Sequence, residues 1–115
     1  PEILQAIASA APRANIDTIL DVLGLHPYFA AAVAAEDVAR GKPDPQVFLL
    51  AAERLGVAPS RSIVVEDGRA GVEGARRAGM RSIGLARDGG ELAADVVIRS
   101  FAELSADAFE RLLAR

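Results

Sequence analysis

A pair of adjacent carboxylates, Glu66 and Asp67, follows the apolar run at residues 62–65 and precedes Gly68. Two neighbouring negative charges repel, so at the rim of a sheet they need solvent or a cation. A hard ion such as Mg²⁺ takes carboxylate oxygen and keeps several of its waters. The alternative interpretation is that Asp67 caps the following helix while Glu66 is solvated at the surface. The spacing alone leaves the metal site and the cap equally open.

Lys42 lies on a proline-rich loop just before a predicted helix, between Gly41 and Pro43. The residue before a proline is biased to extended conformations, and this applies both to Lys42 and to Asp44. A loop stiffened in this way can aim an ammonium group. A fixed positive charge is what a phosphoryl group in transfer needs to offset the charge on its equatorial oxygens. The alternative is an exposed loop lysine beside a helix start.

Ser9 ends the first predicted strand, which covers residues 5–9. Its hydroxyl and the neighbouring backbone N–H groups, such as that of Ala10, could bind a phosphate. A serine after a strand is also commonly a local helix or turn cap, so Ser9 alone indicates little. Glu36 and Asp37 form a second acidic pair, which we expect to cap or flank the next loop.

Strand patterns and helix patterns alternate along the chain. Short apolar runs predict strands over residues 5–9, 30–35, 62–65, 81–85 and 96–98. Helical periodicity predicts helices over residues 16–24, 45–56, 70–79 and 105–115, the last with a serine cap. This alternation predicts one α/β domain over residues 1–115, a Rossmann-like parallel sheet with helices on both faces. Ligands of such sheets bind outside the carboxyl ends of the strands, where Ser9, Glu66 and Asp67 are expected.

Composition excludes several classes of protein. The chain has a net charge of −3 and no basic run interleaved with aromatic residues, so we expect no nucleic-acid partner. It lacks an apolar stretch of roughly 18 residues and a signal-peptide pattern, so we expect no membrane partner and a cytoplasmic location. With no Cys and one His, any metal must be held by oxygen. A P-loop, a G-x-G-x-x-G turn after a strand and a serine nucleophile elbow are also missing.

Three segments together resemble one family. The sequences IASAAPRAN, ARGKPDPQVFLLAAERLGV and SIVVEDGRAGVEGARRAGMRSIGL resemble the second, third and fourth motifs of the haloacid dehalogenase-like hydrolase superfamily. Within it, they are most similar to the subgroup of β-phosphoglucomutase and related sugar-phosphate phosphatases. The resemblance implies a Mg²⁺-dependent phosphatase or phosphomutase that acts on a small phosphorylated metabolite such as a sugar phosphate.

The resemblance also implies roles for individual residues. Ser9, with the backbone at Ala10, would bind the transferring phosphoryl group, and Lys42 would neutralise it. Asp67, with Glu66 beside it, would hold Mg²⁺ directly or through water. The sequence departs from the family at Gly68, where relatives usually carry a small hydroxyl residue. That departure makes the metal loop looser.

A larger departure concerns the family's first motif, an apolar strand ending in Asp-x-Asp that supplies the nucleophile and the acid/base. No Asp-x-Asp occurs in these 115 residues, so we expect the chain alone to be inactive and to be the C-terminal part of a longer protein. The subgroup's cap domain would also precede residue 1. The family's sheet order places the first-motif strand between the strands that end at Ser9 and Glu66.

Without that strand, two spacings of ~4.8 Å each would separate its neighbours. If the chain folds alone, we expect those strands to close up or a second copy to donate a strand. The competing hypothesis is therefore an inactive remnant that self-associates through an exposed sheet edge.

Overall fold

The computed structural model describes residues 3–115 and confirms an α/β fold with parallel strands. The strands are β1 (Ala6–Ala8), β2 (Ala31–Val33), β3 (Ile63–Glu66), β4 (Arg81–Leu85) and β5 (Val96–Ile98). The helices are α1 (Arg13–Leu23), α2 (Gln46–Leu55), α3 (Arg69–Arg77) and α4 (Ala108–Leu113), with short 3₁₀ turns between several elements. Each predicted strand and helix is present, with bounds shifted by a few residues. None of the helices in the described part of the chain is long and apolar enough to cross a membrane.

The strands form two separate parallel sheets. One has two strands in the order β1-β2, and the other has three in the order β3-β4-β5. Within residues 3–115, no ladder joins β1 to β3, so these strands have not closed up on each other. The facing edges of β1 and β3 keep backbone groups that a further strand could pair with.

Helices cover both faces of the sheets, as predicted. On one face, α2 and α3 enclose a cluster of buried residues that includes Val33 from β2 and Val64 from β3, and this cluster joins the two sheets. On the other face there are two smaller clusters. Ile16 and Leu20 of α1 cover the first sheet, and Leu112 of α4 covers the second. The α2–α3 layer therefore sets how the two sheets lie relative to each other.

Local chemistry explains where the helices end. α1 and α2 stop at Gly24 and Gly56, which take the left-handed conformation at φ 65° and φ 68° that favours glycine. At the start of α2, the Gln46 N–H donates to Asp44 Oδ1 at 2.9 Å, so the Asp44 side chain takes one N–H group at this end of the helix. The predicted serine cap of α4 is wrong. Ser105 instead donates its hydroxyl to Asp107 at 2.8 Å, because α4 begins only at Ala108.

Candidate active site

The ammonium group of Lys42 lies between the carboxyl ends of the two sheets. Its Nζ donates to the carbonyl oxygen of Ala8, the last residue of β1, at 3.2 Å, and to Oε2 of Glu66, the last residue of β3, at 2.9 Å. The side chain is only 21% exposed. The ring of Phe48 on α2 lies 5.2 Å from Nζ, within cation–π range. The interpretation of Lys42 as an exposed loop lysine is therefore wrong.

Both oxygens of Glu66 have partners. Oε2 pairs with Lys42, and Oε1 accepts from the backbone N–H groups of Asp67 at 3.1 Å and Gly68 at 3.2 Å. The side chain is 13% exposed, so Glu66 is not a solvated surface carboxylate. A carboxylate with partners on both oxygens is held in one orientation.

Asp67 differs from its neighbour in being exposed. Among residues 3–115, no group donates a hydrogen bond to its carboxylate, and α3 begins at Arg69, after Gly68, without a side-chain cap. The alternative in which Asp67 caps that helix is therefore wrong. Its carboxylate is free to meet solvent or a cation.

These residues fit a Mg²⁺ ion only in part. In the described part of the chain, no cluster of three or more Asp, Glu, His or Cys side chains could hold a metal. Asp67 offers a free carboxylate, which suits an ion that keeps most of its waters. Glu66 would have to release Lys42 or its two N–H donors before it could bind a metal directly.

Ser9 and Ala10 follow β1 at the same end of the sheet as Lys42. Ser9 Oγ accepts from the N–H of Ala11 at 3.0 Å, which is the local turn cap that the sequence left open. Ala10 is exposed. The roles of both residues in phosphate binding stay predictions.

An open pocket of about 260 Å³ lies where the two sheets face each other. It brings together three predicted site residues with hydrophobic neighbours from both halves of the fold. Its lining residues are Ala8, Lys42, Val65, Glu66, Asp67, Leu85 and Phe101. A second pocket of about 420 Å³ adjoins it through Asp67 and Leu85. Ser9 and Ala10 do not line either pocket.

The hydrophobic part of this site was not predicted from the sequence. Phe48 is a core residue of α2 that also lies against Lys42, and its place in the apolar stripe of the helix gave no sign of this second role. Leu85 at the end of β4 could have been found, because residues at the carboxyl ends of parallel strands share one edge of the sheet. Phe101 follows β5 and had no distinguishing pattern.

Asp37 connects the end of β2 to helices on both faces. Its carboxylate accepts from the N–H of Ala34 at 2.9 Å and pairs with Arg13 of α1 and with Arg54 of α2, the latter at 3.2 Å. The Ala34 hydrogen bond lowers the pKa of Asp37 most, burial opposes this shift, and the guanidinium groups of Arg54 and Arg13 lower the pKa further. Asp37 thus caps the turn after β2, as the sequence predicted.

The fold is a parallel α/β layer with a lysine and two carboxylates beside the carboxyl ends of its strands, and known proteins match this chain. The family model for haloacid dehalogenase-like hydrolases matches residues 3–79. The chain belongs to the haloacid dehalogenase-like hydrolase family. The resemblance inferred from the three motifs is confirmed.

The relatives include a fructose-1-phosphate phosphatase and a β-phosphoglucomutase. The chain is 42% identical over 78 residues to fructose-1-phosphate phosphatase YqaB of Escherichia coli, which covers 68% of this chain and 42% of that protein. It is 36% identical over 99 residues to β-phosphoglucomutase of Bacillus subtilis, which covers 86% of this chain and 44% of that protein. The crystal structure of β-phosphoglucomutase from Clostridium difficile superposes with a TM-score of 0.87 at 28% identity. That match covers 97% of this chain and 49% of that one. The chain thus spans about half the length of these relatives, or less.

Proposed function

We propose that this chain supplies the phosphate-binding and metal-binding part of a Mg²⁺-dependent phosphoryl-transfer site. The observation that carries the proposal is the bridging position of Lys42, whose ammonium contacts the ends of both sheets beside the carboxylates. A partly buried, fixed ammonium can neutralise charge on a phosphoryl group without reorganising during the reaction. Ser9 and Ala10 follow β1 next to it and are proposed to donate hydrogen bonds to the same phosphoryl group.

The charges at the site explain why a metal ion would be required. Lys42 is already paired with Glu66, and Asp67 adds an unpaired negative charge, so a phosphate dianion alone meets a site that repels it. Asp67 would hold Mg²⁺, with Glu66 acting through water, and the ion would supply positive charge to the phosphoryl oxygens. Lys42 would also bind the phosphoryl group.

Chemical transfer needs a nucleophile that these residues do not provide. The sequence contains no Asp-x-Asp, and Asp67 and Glu66 cannot act as metal site and displaced nucleophile in one geometry. The chain alone is therefore proposed to be inactive. A strand carrying that pair between β1 and β3 would bring it beside Lys42.

The substrate is proposed to be a small phosphorylated metabolite such as a sugar phosphate. This rests on the relatives, whose names include a fructose-1-phosphate phosphatase and β-phosphoglucomutases. The choice between hydrolysis and mutase chemistry depends on how water reaches a phosphorylated intermediate.

Binding of inorganic phosphate to the chain tests the site without requiring turnover. We expect calorimetry to detect phosphate binding that depends on Mg²⁺ and that Lys42→Ala weakens about tenfold to hundredfold, as expected for a lost charged hydrogen bond. The matched control is Arg40→Ala, which removes an equal charge from the same loop at a side chain that is 79% exposed. Equal phosphate affinity in Lys42→Ala and the wild type would contradict the proposed site.

A second candidate function is an inactive interaction module. The observation that favours it is the unpaired edges of β1 and β3, which could pair with a strand from another copy of the chain. Sedimentation of the purified chain tests it. A monomer at all concentrations would argue against self-association, and a dimer that fails to bind phosphate would favour this function over the enzyme.

A further inference from the structure

Gly71, the third residue of α3, lies directly against the side chain of Glu66. A Cβ atom built on Gly71 would be 2.0 Å from Cδ and Oε2 of Glu66 and 2.1 Å from its Cγ. Real Cβ atoms essentially never come closer than 3.0 Å to such neighbours, so no other residue fits here while Glu66 keeps its position. Gly71 is buried.

The backbone does not require glycine at this position. Gly71 is not among the glycines with positive φ in the described residues, and it lies inside a helix, where glycine is less favourable than alanine. The two nearby glycines differ from it. A Cβ at Gly68 would meet only Glu66 Oε1 at 3.7 Å, and one at Gly74 would meet the Phe48 ring at 3.0 Å. Of these three glycines, Gly71 is therefore the one whose missing side chain leaves the space that Glu66 occupies.

We propose that Gly71 is a positioning residue for Lys42, acting through Glu66. The missing side chain lets the Glu66 carboxylate lie against α3, where Oε1 takes the N–H groups of Asp67 and Gly68 and Oε2 holds Nζ of Lys42. Gly71 thereby fixes the ammonium at the end of β1. This role concerns a contact seen in the structure, and only its consequence for phosphate rests on the proposed function.

A methyl group at residue 71 would displace the Glu66 side chain from Cγ outward. Because Cγ as well as the carboxylate is in the way, the side chain must change its χ1 rotamer instead of only turning its far end. Glu66 would then lose both its hydrogen bonds from the N–H groups of Asp67 and Gly68 and its ion pair with Lys42. The ammonium would keep the Ala8 carbonyl as its partner and would gain freedom to move.

The sequence offers a direct probe, since Lys42 is the only lysine among the 115 residues. Isotope labelling of lysine therefore gives the side-chain signals of a single residue in an NMR spectrum of the chain. We expect Gly71→Ala to move the Nζ and Cε signals of Lys42 toward those of Glu66→Ala. Gly68→Ala, which adds a methyl group beside the same carboxylate at an ordinary contact distance, should leave them in place.

A double-mutant cycle assigns the effect to Glu66. Glu66→Ala removes the three atoms nearest to the added methyl group, so Gly71→Ala should cause no further change of the Lys42 signals in that background. An unchanged lysine spectrum in Gly71→Ala would overturn the proposal. So would an equal change with and without Glu66.

The cycle also decides the case in which Gly71→Ala does not fold. A folded Gly71→Ala/Glu66→Ala protein would then support the proposal, because removing Glu66 restores the space. Failure of the double variant to fold, while Glu66→Ala folds, would show that the methyl group clashes with something else and would overturn it.

Phosphate binding separates this role from the proposed function. With Mg²⁺ present, we expect Gly71→Ala to weaken the binding of inorganic phosphate about tenfold, and Gly68→Ala to change it far less. If the lysine signals respond as expected but the wild-type chain binds no phosphate, the positioning of Lys42 stands and the proposed function fails. If the wild-type chain binds phosphate and Gly71→Ala does not weaken that binding, the proposed effect of Gly71 on phosphate affinity is wrong.

Discussion

Lys42 and Glu66, 24 residues apart in sequence, form a 2.9 Å ion pair across the space between two strands that do not pair with each other. The lysine also bonds the carbonyl at the end of β1, and so links the carboxyl ends of both sheets. The α2–α3 layer holds the sheets together from one face, while this contact joins them at the edge where α/β proteins bind ligands. In this contact the Glu66 carboxylate is paired with Lys42, whereas the Asp67 carboxylate accepts no hydrogen bond from residues 3–115.

Removing the Asp67 carboxylate should weaken binding of a divalent cation at the pocket. Mn²⁺ can replace Mg²⁺ at oxygen sites and broadens NMR signals near it, and Lys42 lines the same pocket. We expect Mn²⁺ to broaden the lysine signal of the wild type and to do so much less in Asp67→Asn. Glu91→Gln, an exposed change in the adjoining pocket, is the control and should behave as the wild type does. Equal broadening in Asp67→Asn would show that the cation binds elsewhere.

Ser9→Ala separates the two roles left open for this hydroxyl. Loss of the bond from the Ala11 N–H should cost about 1 kcal/mol of stability, as for other lost caps. If Ser9 also binds phosphate, its loss should weaken phosphate binding by up to about tenfold in the presence of Mg²⁺. Ser62→Ala, which removes a hydroxyl bonded to the Ala58 carbonyl away from the pocket, is the control. Unchanged phosphate affinity in Ser9→Ala would leave Ser9 as a turn cap alone.

Truncating Phe48 should destabilise the layer that joins the sheets. Phe48 is 5% exposed in the cluster that contains Val33 and Val64, so Phe48→Ala should cost about 3–5 kcal/mol in chemical unfolding. Phe48→Leu should cost less, below about 1.5 kcal/mol, because it keeps most of the volume. Both changes remove the ring near Lys42 and should shift its NMR signals. A small stability loss in Phe48→Ala would mean that this cluster does not hold the sheets together.

Asp37 should make stability depend on acid pH. Its pKa is lowered in the folded chain by the Ala34 N–H and the guanidinium groups of Arg54 and Arg13. A lowered folded pKa gives stability that is present above the unfolded value, about 3.9, and is lost as pH falls through the folded value. Asp37→Asn should therefore lower the melting temperature by a few degrees at pH 7, and this effect should shrink as the pH falls below the unfolded value. Asp17→Asn, at an exposed position of α1, should not lower the melting temperature, and a pH-independent effect of Asp37→Asn would contradict this account.

The sequence predicted the elements well because each has a local cause. The β-branched run before Glu66 and the apolar run 81–85 form strands as expected, and Gly24 and Gly56 end their helices where the left-handed conformation is needed. The α4 cap was wrong since Ser105 bonds Asp107 in place of the helix N–H groups. Such a choice between nearby polar partners is not visible in the spacing of the residues.

The site was only partly predictable, because the hydrogen-bond partner that a polar side chain takes cannot be read from residue spacing. Residue type and position at strand ends identified Lys42, Glu66 and Asp67. Their partners depend on tertiary packing, which brings together residues distant in sequence. The sequence pattern did not show that the Glu66 carboxylate would pair with Lys42 while that of Asp67 is exposed. The clearance that Gly71 provides also appears only when α3 is placed against β3.

Phosphate release from an aryl phosphate with Mg²⁺ tests the central claim most directly. It compares the 115-residue chain alone with the same chain joined at its N-terminus to an apolar strand ending in Asp-x-Asp. We predict no release from the chain alone. The extended chain should release phosphate only with Mg²⁺, and Lys42→Ala and Asp67→Asn should each abolish this activity. Release by the chain alone that survives Lys42→Ala, or none from an extended chain that folds, would contradict the account.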